Sequence, residues 1–272
     1  MCQDVEVREA ELNTSCLYGR IPRILELMAD ILVFGAHPDD AEFGMGASMV
    51  KFVKGGAKVT VCVLTRGEAG TFGTPEERER EMRDAAAALG GAIEILDFRD
   101  CHVLDSFESR AALAAVIRRH KPRIVFAPYH TNPSSHNDGA AHPDHTETGK
   151  IARSAARYAR FSGLKEVPGE PWNAYHLIYY MVPKTIKPNL VNDVSCCMDE
   201  WESIARLHAS QTNLRGGKVL ESLRAYRQSY GSMIGVQYAE AFYVEEPIPF
   251  DVDLFLTTSS RPIADPPTAE PK

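Results

Sequence analysis

The chain has 272 residues, of which 44% are hydrophobic and 25% are charged. This balance is typical of a globular enzyme and excludes a disordered, a fibrous or a disulfide-rich protein. The formal net charge is -7, and there is no long Lys/Arg block. Because such a sequence has no electrostatic footprint for phosphates, neither nucleic acid nor a membrane surface is expected as a partner.

Cysteine spacing and the termini predict a cytoplasmic protein. The six cysteines show no C-x-x-C spacing, which favours a reducing compartment, and the acidic start lacks the features of a secretory signal. No apolar run approaches the ~20 residues that a membrane helix needs. We expect residues 1–27 to be an N-terminal extension, residues 28–256 to form one domain, and the proline-rich residues 257–272 to be a disordered tail.

Between the termini, short runs rich in Val, Ile and Phe alternate with longer segments of helical period. Strands are predicted near 31–36, 58–64, 92–97, 123–128 and 175–181. Helices are predicted near 43–54, 76–89, 107–120, 143–160, 199–213 and 217–229. Because such alternation needs crossover connections, it predicts an α/β fold with a Rossmann-like, mostly parallel sheet and helices on both faces.

The first predicted strand ends abruptly in polar residues. His37, Asp39 and Asp40 directly follow the apolar run 31–36. Ligands of open α/β sheets bind at the carboxyl ends of the strands, so these side chains stand where a site is expected. One aspartate can bind a metal together with His37 while the other acts as a base. The competing interpretation is that the Asp-Asp pair only caps the following helix.

A second cluster, His142-Pro143-Asp144-His145, follows the predicted strand 123–128 after a loop. Proline suits the first turn of a helix, and histidines three residues apart share one face of that turn. On its own the cluster is also compatible with a solvated helix start. Combined with the first cluster, it predicts a metal site.

The predicted ligands are His37, Asp40 and His145. Two imidazoles and one carboxylate form a set that leaves zinc an open position for water. Nitrogen ligands disfavour magnesium and calcium, which prefer oxygen. Iron, cobalt and manganese remain open as alternatives to zinc.

A third predicted strand leads into Thr65-Arg66-Gly67-Glu68, and the helix after it is rich in alternating charges. Such charges are compatible with a solvated helix face. The functional alternative is that Arg66 or Arg78 turns inward to hold a polar or anionic substrate. The spacing does not choose between the two arginines.

Together these motifs resemble the PIG-L/LmbE-like zinc-dependent N-deacetylases of acylated amino sugars. The resemblance covers residues 28–250 and is carried by Gly35–Asp40, Thr65–Glu68, Arg78 with Glu81, and His142–His145. The segments Leu207–Gln211 and Gly231–Glu240 are similar to the bacillithiol-pathway branch, whose members remove acetate from N-acetylglucosaminyl malate. Residues 28–256 would then be a deacetylase domain.

The resemblance implies a role for each motif residue. It makes His37, Asp40 and His145 the ligands of one Zn²⁺ per subunit, Asp39 the general base, His142 a polarising acid oriented by Asp144, Arg78 a substrate anchor, and Tyr238 a partner for the oxyanion. It also implies a homo-oligomer such as a hexamer.

The function that this implies is hydrolytic removal of acetate from an N-acetylated amino sugar, first of all N-acetylglucosaminyl malate in bacillithiol biosynthesis. The alternatives are deacetylation of another sugar, such as N-acetylglucosamine or diacetylchitobiose, hydrolysis of another bond such as a phosphoester, and a non-catalytic Rossmann-type protein that binds a sugar or a nucleotide. Against nucleotide binding, the first strand ends in His-Pro-Asp-Asp and lacks the G-x-G-x-x-G cradle.

Overall fold

The computed structural model describes residues 29–134 and 138–248. The expected N-terminal extension 1–27 and tail 257–272 lie outside the described residues, so the domain boundaries stay predictions. None of the helices in the described ranges combines the length and the apolar character that crossing a membrane requires.

Within the described ranges, seven strands form one sheet in the order β3-β2-β1-β4-β5-β7-β6. The strands are β1 (Ile31–Gly35), β2 (Val59–Val63), β3 (Ala92–Ile95), β4 (Ile124–Pro128), β5 (His176–Tyr180), β6 (Leu190–Asp193) and β7 (Ala239–Val244). The first five pair in parallel, whereas β7 runs antiparallel to both β5 and β6. The predicted fold class is confirmed, and strands β6 and β7 are additions that the sequence analysis missed.

The helices agree with the predicted order but differ in their bounds. They are α1 (Asp40–Lys54), α2 (Pro75–Leu89), α3 (Phe107–His120), α4 (Pro143–Tyr158), α5 (Met198–Ala205), α6 (Ala209–Thr212) and α7 (Leu214–Ile234). The single helix predicted at 199–213 was wrong: the chain leaves helical geometry at His208, with ψ at 58°, and starts again as α6.

The sheet is covered on both faces. Every residue of β1 and β2 is buried, as expected for parallel strands with a helical layer on either side. One core lies between the sheet and α1, α2, α5 and α7, where Met49, Met82 and Trp201 are fully buried. The other lies under α3 and α4, where Leu113 and Ile151 are fully buried.

The chain order reverses at β1, which pairs with β2 on one side and with β4 on the other. Such a switch point opens a crevice at the carboxyl ends of the two central strands, because their connections leave toward opposite faces. Close packing of α4 fixes one wall of this crevice. A Cβ at Gly149 would lie 2.3 Å from the carbonyl oxygen of Pro128, so only glycine allows this approach.

Helix α1 is kinked at Met45, whose φ of −149° interrupts the helical hydrogen-bond pattern. The Glu240 carboxylate of β7 accepts the backbone N–H of Ala47 at 3.2 Å and of Ser48 at 2.7 Å. This buried carboxylate is in turn paired with Arg227 of α7, whose Nε donates to it at 2.8 Å. Glu240 therefore caps the second half of α1 from a distant strand.

We predict that Arg227→Met destabilises the fold by roughly 3–5 kcal/mol, because it leaves the Glu240 carboxylate buried without its partner. Urea unfolding followed by circular dichroism measures the change. The matched control is Arg206→Met, since Arg206 pairs with Glu202 while its side chain is 63% exposed. Such a surface pair contributes at most about 1 kcal/mol, and equal losses for the two variants would refute the capping role.

Candidate metal centre and active site

The turn after β1 is closed by the carboxylate of Asp40. Its Oδ2 accepts the backbone N–H of Ala36 at 2.7 Å and of His37 at 2.9 Å. Asp40 is the first residue of α1, and Asp39 stands at the N-cap position without a capping hydrogen bond from its side chain. The helix-cap interpretation therefore does not describe Asp39, whose carboxylate is left for another role.

Three side chains from the two predicted motifs converge at this turn. His37 Nδ1 lies 3.2 Å from His145 Nε2, and His145 Nε2 lies 3.0 Å from Asp40 Oδ1. The third distance, from His37 Nδ1 to Asp40 Oδ2, is 3.6 Å. All three residues are buried. Two further groups of possible metal ligands lie among the described residues, but only this one is buried at every member.

The donor set fits a transition-metal ion. Tetrahedral zinc with Zn–N and Zn–O bonds of about 2.0–2.1 Å holds its ligand atoms about 3.3 Å apart, close to the spacing of this triangle. Two ring nitrogens that face each other at 3.2 Å also suit a shared cation better than direct contact. Other divalent transition metals accept the same imidazole and carboxylate donors.

Asp100 supports the cluster from outside and was not predicted from the sequence. Its Oδ1 accepts from His37 Nε2 at 3.1 Å, and its Oδ2 accepts the backbone N–H of Ala69 at 2.9 Å. A carboxylate on the second nitrogen of a metal-binding histidine fixes the ring and its tautomer. Asp100 follows β3, so the signal for it was its place after a parallel strand at the same edge of the sheet.

Negative charge dominates the cluster. Burial lowers the pKa of His37, but the carboxylates of Asp40, Asp100 and Asp144 outweigh burial and raise that pKa well above its usual value. Burial alone would raise the pKa of Asp40. The imidazoles of His145 and His37 outweigh burial and lower that pKa well below its usual range. A buried cluster that keeps its carboxylates ionised in this way favours a bound cation.

Arg78 lies against Asp39, the predicted base. Its Nη2 is 3.4 Å from Asp39 Oδ1, and its Nη1 donates to the carbonyl oxygen of Gly67 at 3.0 Å. Burial raises the pKa of Asp39, and the Arg78 guanidinium lowers it. The Asp40 carboxylate raises it further, so the pKa of Asp39 lies above its usual value. A raised pKa makes a carboxylate a stronger base and so suits it to act as a general base.

The structure places the two candidate arginines in different surroundings. Arg66 has a half-exposed side chain that faces Glu79 at 3.8 Å and Asp97 at 4.0 Å. These carboxylates lie at the surface, and the predicted contact of Arg66 with substrate stays a prediction. Arg78 alone of the two is brought to the cluster, and its role as a substrate anchor stays a prediction.

His142 lies at the cluster, but its relation to Asp144 differs from the prediction. Its ring centroid is 4.7 Å from that of His37, and its Nδ1 accepts the backbone N–H of Asp144 at 3.2 Å. The Asp144 carboxylate instead accepts from Cys101 N at 2.8 Å and lies 3.6 Å from His37 Nε2. His142 is thus oriented by the Asp144 main chain, because it caps α4 with its own ring.

Tyr238 is engaged elsewhere. Its hydroxyl accepts from Arg224 Nε at 3.1 Å, and the same guanidinium lies 4.7 Å from the centre of its ring. Arg224 is also paired with Glu202 of α5 at 3.2 Å. In the described structure this hydroxyl therefore binds α7, where Arg224 also pairs with α5, and its predicted role toward the oxyanion stays a prediction.

Comparison with known proteins places this geometry in a family. The PIG-L family model, described as GlcNAc-PI de-N-acetylase, matches residues 32–156. Diacetylchitobiose deacetylase of Thermococcus kodakarensis is 30% identical over 223 residues, which span 77% of this chain and 80% of the relative. The chain belongs to the PIG-L family. It is therefore an enzyme of the N-deacetylase class, which hydrolyses amide bonds.

Solved structures agree with this assignment of the PIG-L chain. The conserved protein TT1542 of Thermus thermophilus is 35% identical and superposes with a TM-score of 0.74. The match covers 83% of this chain and 98% of the Thermus chain. The inhibitor complex of N,N'-diacetylchitobiose deacetylase from Pyrococcus horikoshii is 28% identical with a TM-score of 0.72. The match covers 85% of this chain and 90% of the Pyrococcus chain.

We predict that Asp100→Ala weakens metal binding by about tenfold to a hundredfold, because His37 loses the partner of its second ring nitrogen. Competition with a chromophoric chelator measures the affinity. The matched control is Asp97→Ala, whose side chain is 98% exposed and faces Arg66 at the surface. An affinity unchanged in Asp100→Ala would show that Asp100 does not position the ligand.

Proposed function

We propose that this PIG-L chain removes acetate from an N-acetylated glucosamine unit with a zinc ion held by His37, Asp40 and His145. The observation that carries the proposal is the buried triangle of these three ligand atoms with Asp39 next to it. When bound, zinc supplies a Lewis acid that lowers the pKa of water toward ~7 and polarises the amide carbonyl.

Asp39 serves as the base in this proposal. Its carboxylate makes no cap bond to α1 and carries a raised pKa, so it can take a proton from the attacking water. After attack on the acetamide carbonyl, Asp39 returns that proton to the leaving amine, and the carbon–nitrogen bond breaks to give acetate and the free amino sugar. Arg78 holds the carboxylate in place through its contact with Oδ1.

His142 serves as a hydrogen-bond donor to the oxyanion. Because its Nδ1 accepts from a backbone N–H, the neutral ring carries its proton on Nε2. Burial and the imidazoles of His37 and His145 lower the pKa of His142, which favours this neutral form. A preorganised donor of this kind stabilises the charge that develops on the oxygen.

Two observations bear on the group attached to the glucosamine. One relative and one solved structure, both named as diacetylchitobiose deacetylases, favour a second amino sugar. The segments Leu207–Gln211 and Gly231–Glu240 favour malate, as in the bacillithiol branch. The homo-oligomer implied by the family also stays a prediction, which light scattering after size-exclusion chromatography tests.

We expect the metal-loaded protein to release acetate from N-acetylglucosamine, diacetylchitobiose or N-acetylglucosaminyl malate, and to lose this activity after chelation. Activity should return with zinc, since the ligand side chains remain. Enzyme-coupled measurement of acetate reports all three substrates. Turnover that persists after complete removal of the metal would refute the metal-dependent mechanism.

Substitutions separate the base from the ligands. Asp39→Asn should retain the metal and lower kcat by about a hundredfold to ten-thousandfold, the usual contribution of a general base. His145→Ala should lose the metal itself, because one of three protein ligands is gone. Metal content and kcat are measured on the same preparations. The control is His176→Ala, since His176 opens β5 at the opposite edge of the sheet.

A further inference from the structure

A group of exposed and half-buried side chains is unused by the proposed mechanism. The Lys184 ammonium lies 4.8 Å from the centre of the Tyr226 ring and 3.8 Å from Asp138 Oδ2. Tyr230 lies four residues and about one turn further along α7, on the same face of the helix as Tyr226. We call Asp138, Lys184, Tyr226 and Tyr230 the Tyr226 patch.

The patch lies at the same edge of the sheet as the metal centre. Lys184 follows β5, which ends at Tyr180 and runs parallel to β1 and β4. Asp138 Oδ1 accepts the backbone N–H of Ala140 at 3.1 Å, and the carbonyl oxygen of Ala140 meets His145 Nδ1 at 3.4 Å. A single turn of chain therefore joins the patch to a proposed metal ligand.

The chemistry of the patch matches a sugar ring. Tyr226 is 40% exposed and offers an aromatic surface, on which the C–H face of a pyranose can pack. The Lys184 ammonium donates hydrogen bonds and the Asp138 carboxylate accepts them, which satisfies hydroxyl groups of both kinds. Because these two charges balance, the patch does not select for an anion.

We infer that the Tyr226 patch binds a neutral sugar unit adjacent to the glucosamine that loses acetate. The substrate is then a glycoside whose second unit is a neutral ring, as in an oligosaccharide of N-acetylglucosamine, rather than a glycoside of a dicarboxylic acid such as malate. This inference rests on the proposed function and adds the group that the enzyme recognises next to the reacting unit.

The test compares substrates that do and do not reach the patch. Tyr226→Ala should lower kcat/KM for diacetylchitobiose by about tenfold, the loss expected for one aromatic contact, and change kcat/KM for N-acetylglucosamine by less than about twofold. Tyr226→Phe keeps the ring and should behave as the wild type. The control is Tyr175→Ala, because Tyr175 is 63% exposed and precedes β5 at the opposite edge.

Lys184→Met tests which kind of neighbour is recognised. It should weaken turnover of diacetylchitobiose by about fivefold, as one lost hydrogen bond predicts, and affect N-acetylglucosaminyl malate no more strongly. A larger loss on the malate glycoside would show that Lys184 binds an anion and would overturn the inference. Equal losses on the monosaccharide and the disaccharide in Tyr226→Ala would overturn it as well.

Binding distinguishes a failure of this inference from a failure of the proposed function. If the metal-loaded wild type releases acetate from none of these sugars, the proposed deacetylation is wrong. Calorimetric titration with diacetylchitobiose and with N-acetylglucosamine then decides on the patch. Tighter binding of the disaccharide that Tyr226→Ala abolishes would support the subsite, and equal affinities in the wild type would exclude it.

Discussion

The whole candidate site depends on the two oxygens of one carboxylate. Asp40 Oδ2 accepts the backbone N–H groups of Ala36 and His37, and Oδ1 meets His145. The same side chain thus shapes the turn after β1 and joins it to the start of α4. Asp39, its neighbour, is left without a capping bond. If Asp40 is the ligand that we propose, metal binding and the conformation of this turn depend on each other.

The position of this carboxylate follows from topology. The strand order reverses between β1 and β4, so the connections after these two strands face each other across a crevice. Connections after β2 and β3 add the Gly67 carbonyl, which holds Arg78, and Asp100, which holds His37. Each parallel strand from β1 to β4 is therefore followed by residues of the candidate site. The carboxyl ends of these strands bring together side chains that lie far apart in the sequence.

The sequence was sufficient for the parallel strands and the histidine-aspartate motifs, because both carry local signals. It failed where a residue depends on a distant partner. Strand β7 was missed since Glu240 interrupts its apolar character, and only Arg227 and the amides of α1 make that burial favourable. The choice between Arg66 and Arg78, and the orientation of His142 by main chain, likewise depend on contacts that spacing does not encode.

The cap on α1 makes the first part of the chain depend on a residue near its other end. Residues 32–156, which the family model matches, contain every proposed metal ligand, yet the kinked helix directly after the first motif is completed by Glu240, far outside that range. Exchange of the later part of the chain between relatives therefore has to preserve a carboxylate and its guanidinium partner. Because α7 carries both Arg227 and the proposed Tyr226 patch, a change in the position of α7 would affect the cap on α1 and the proposed subsite together.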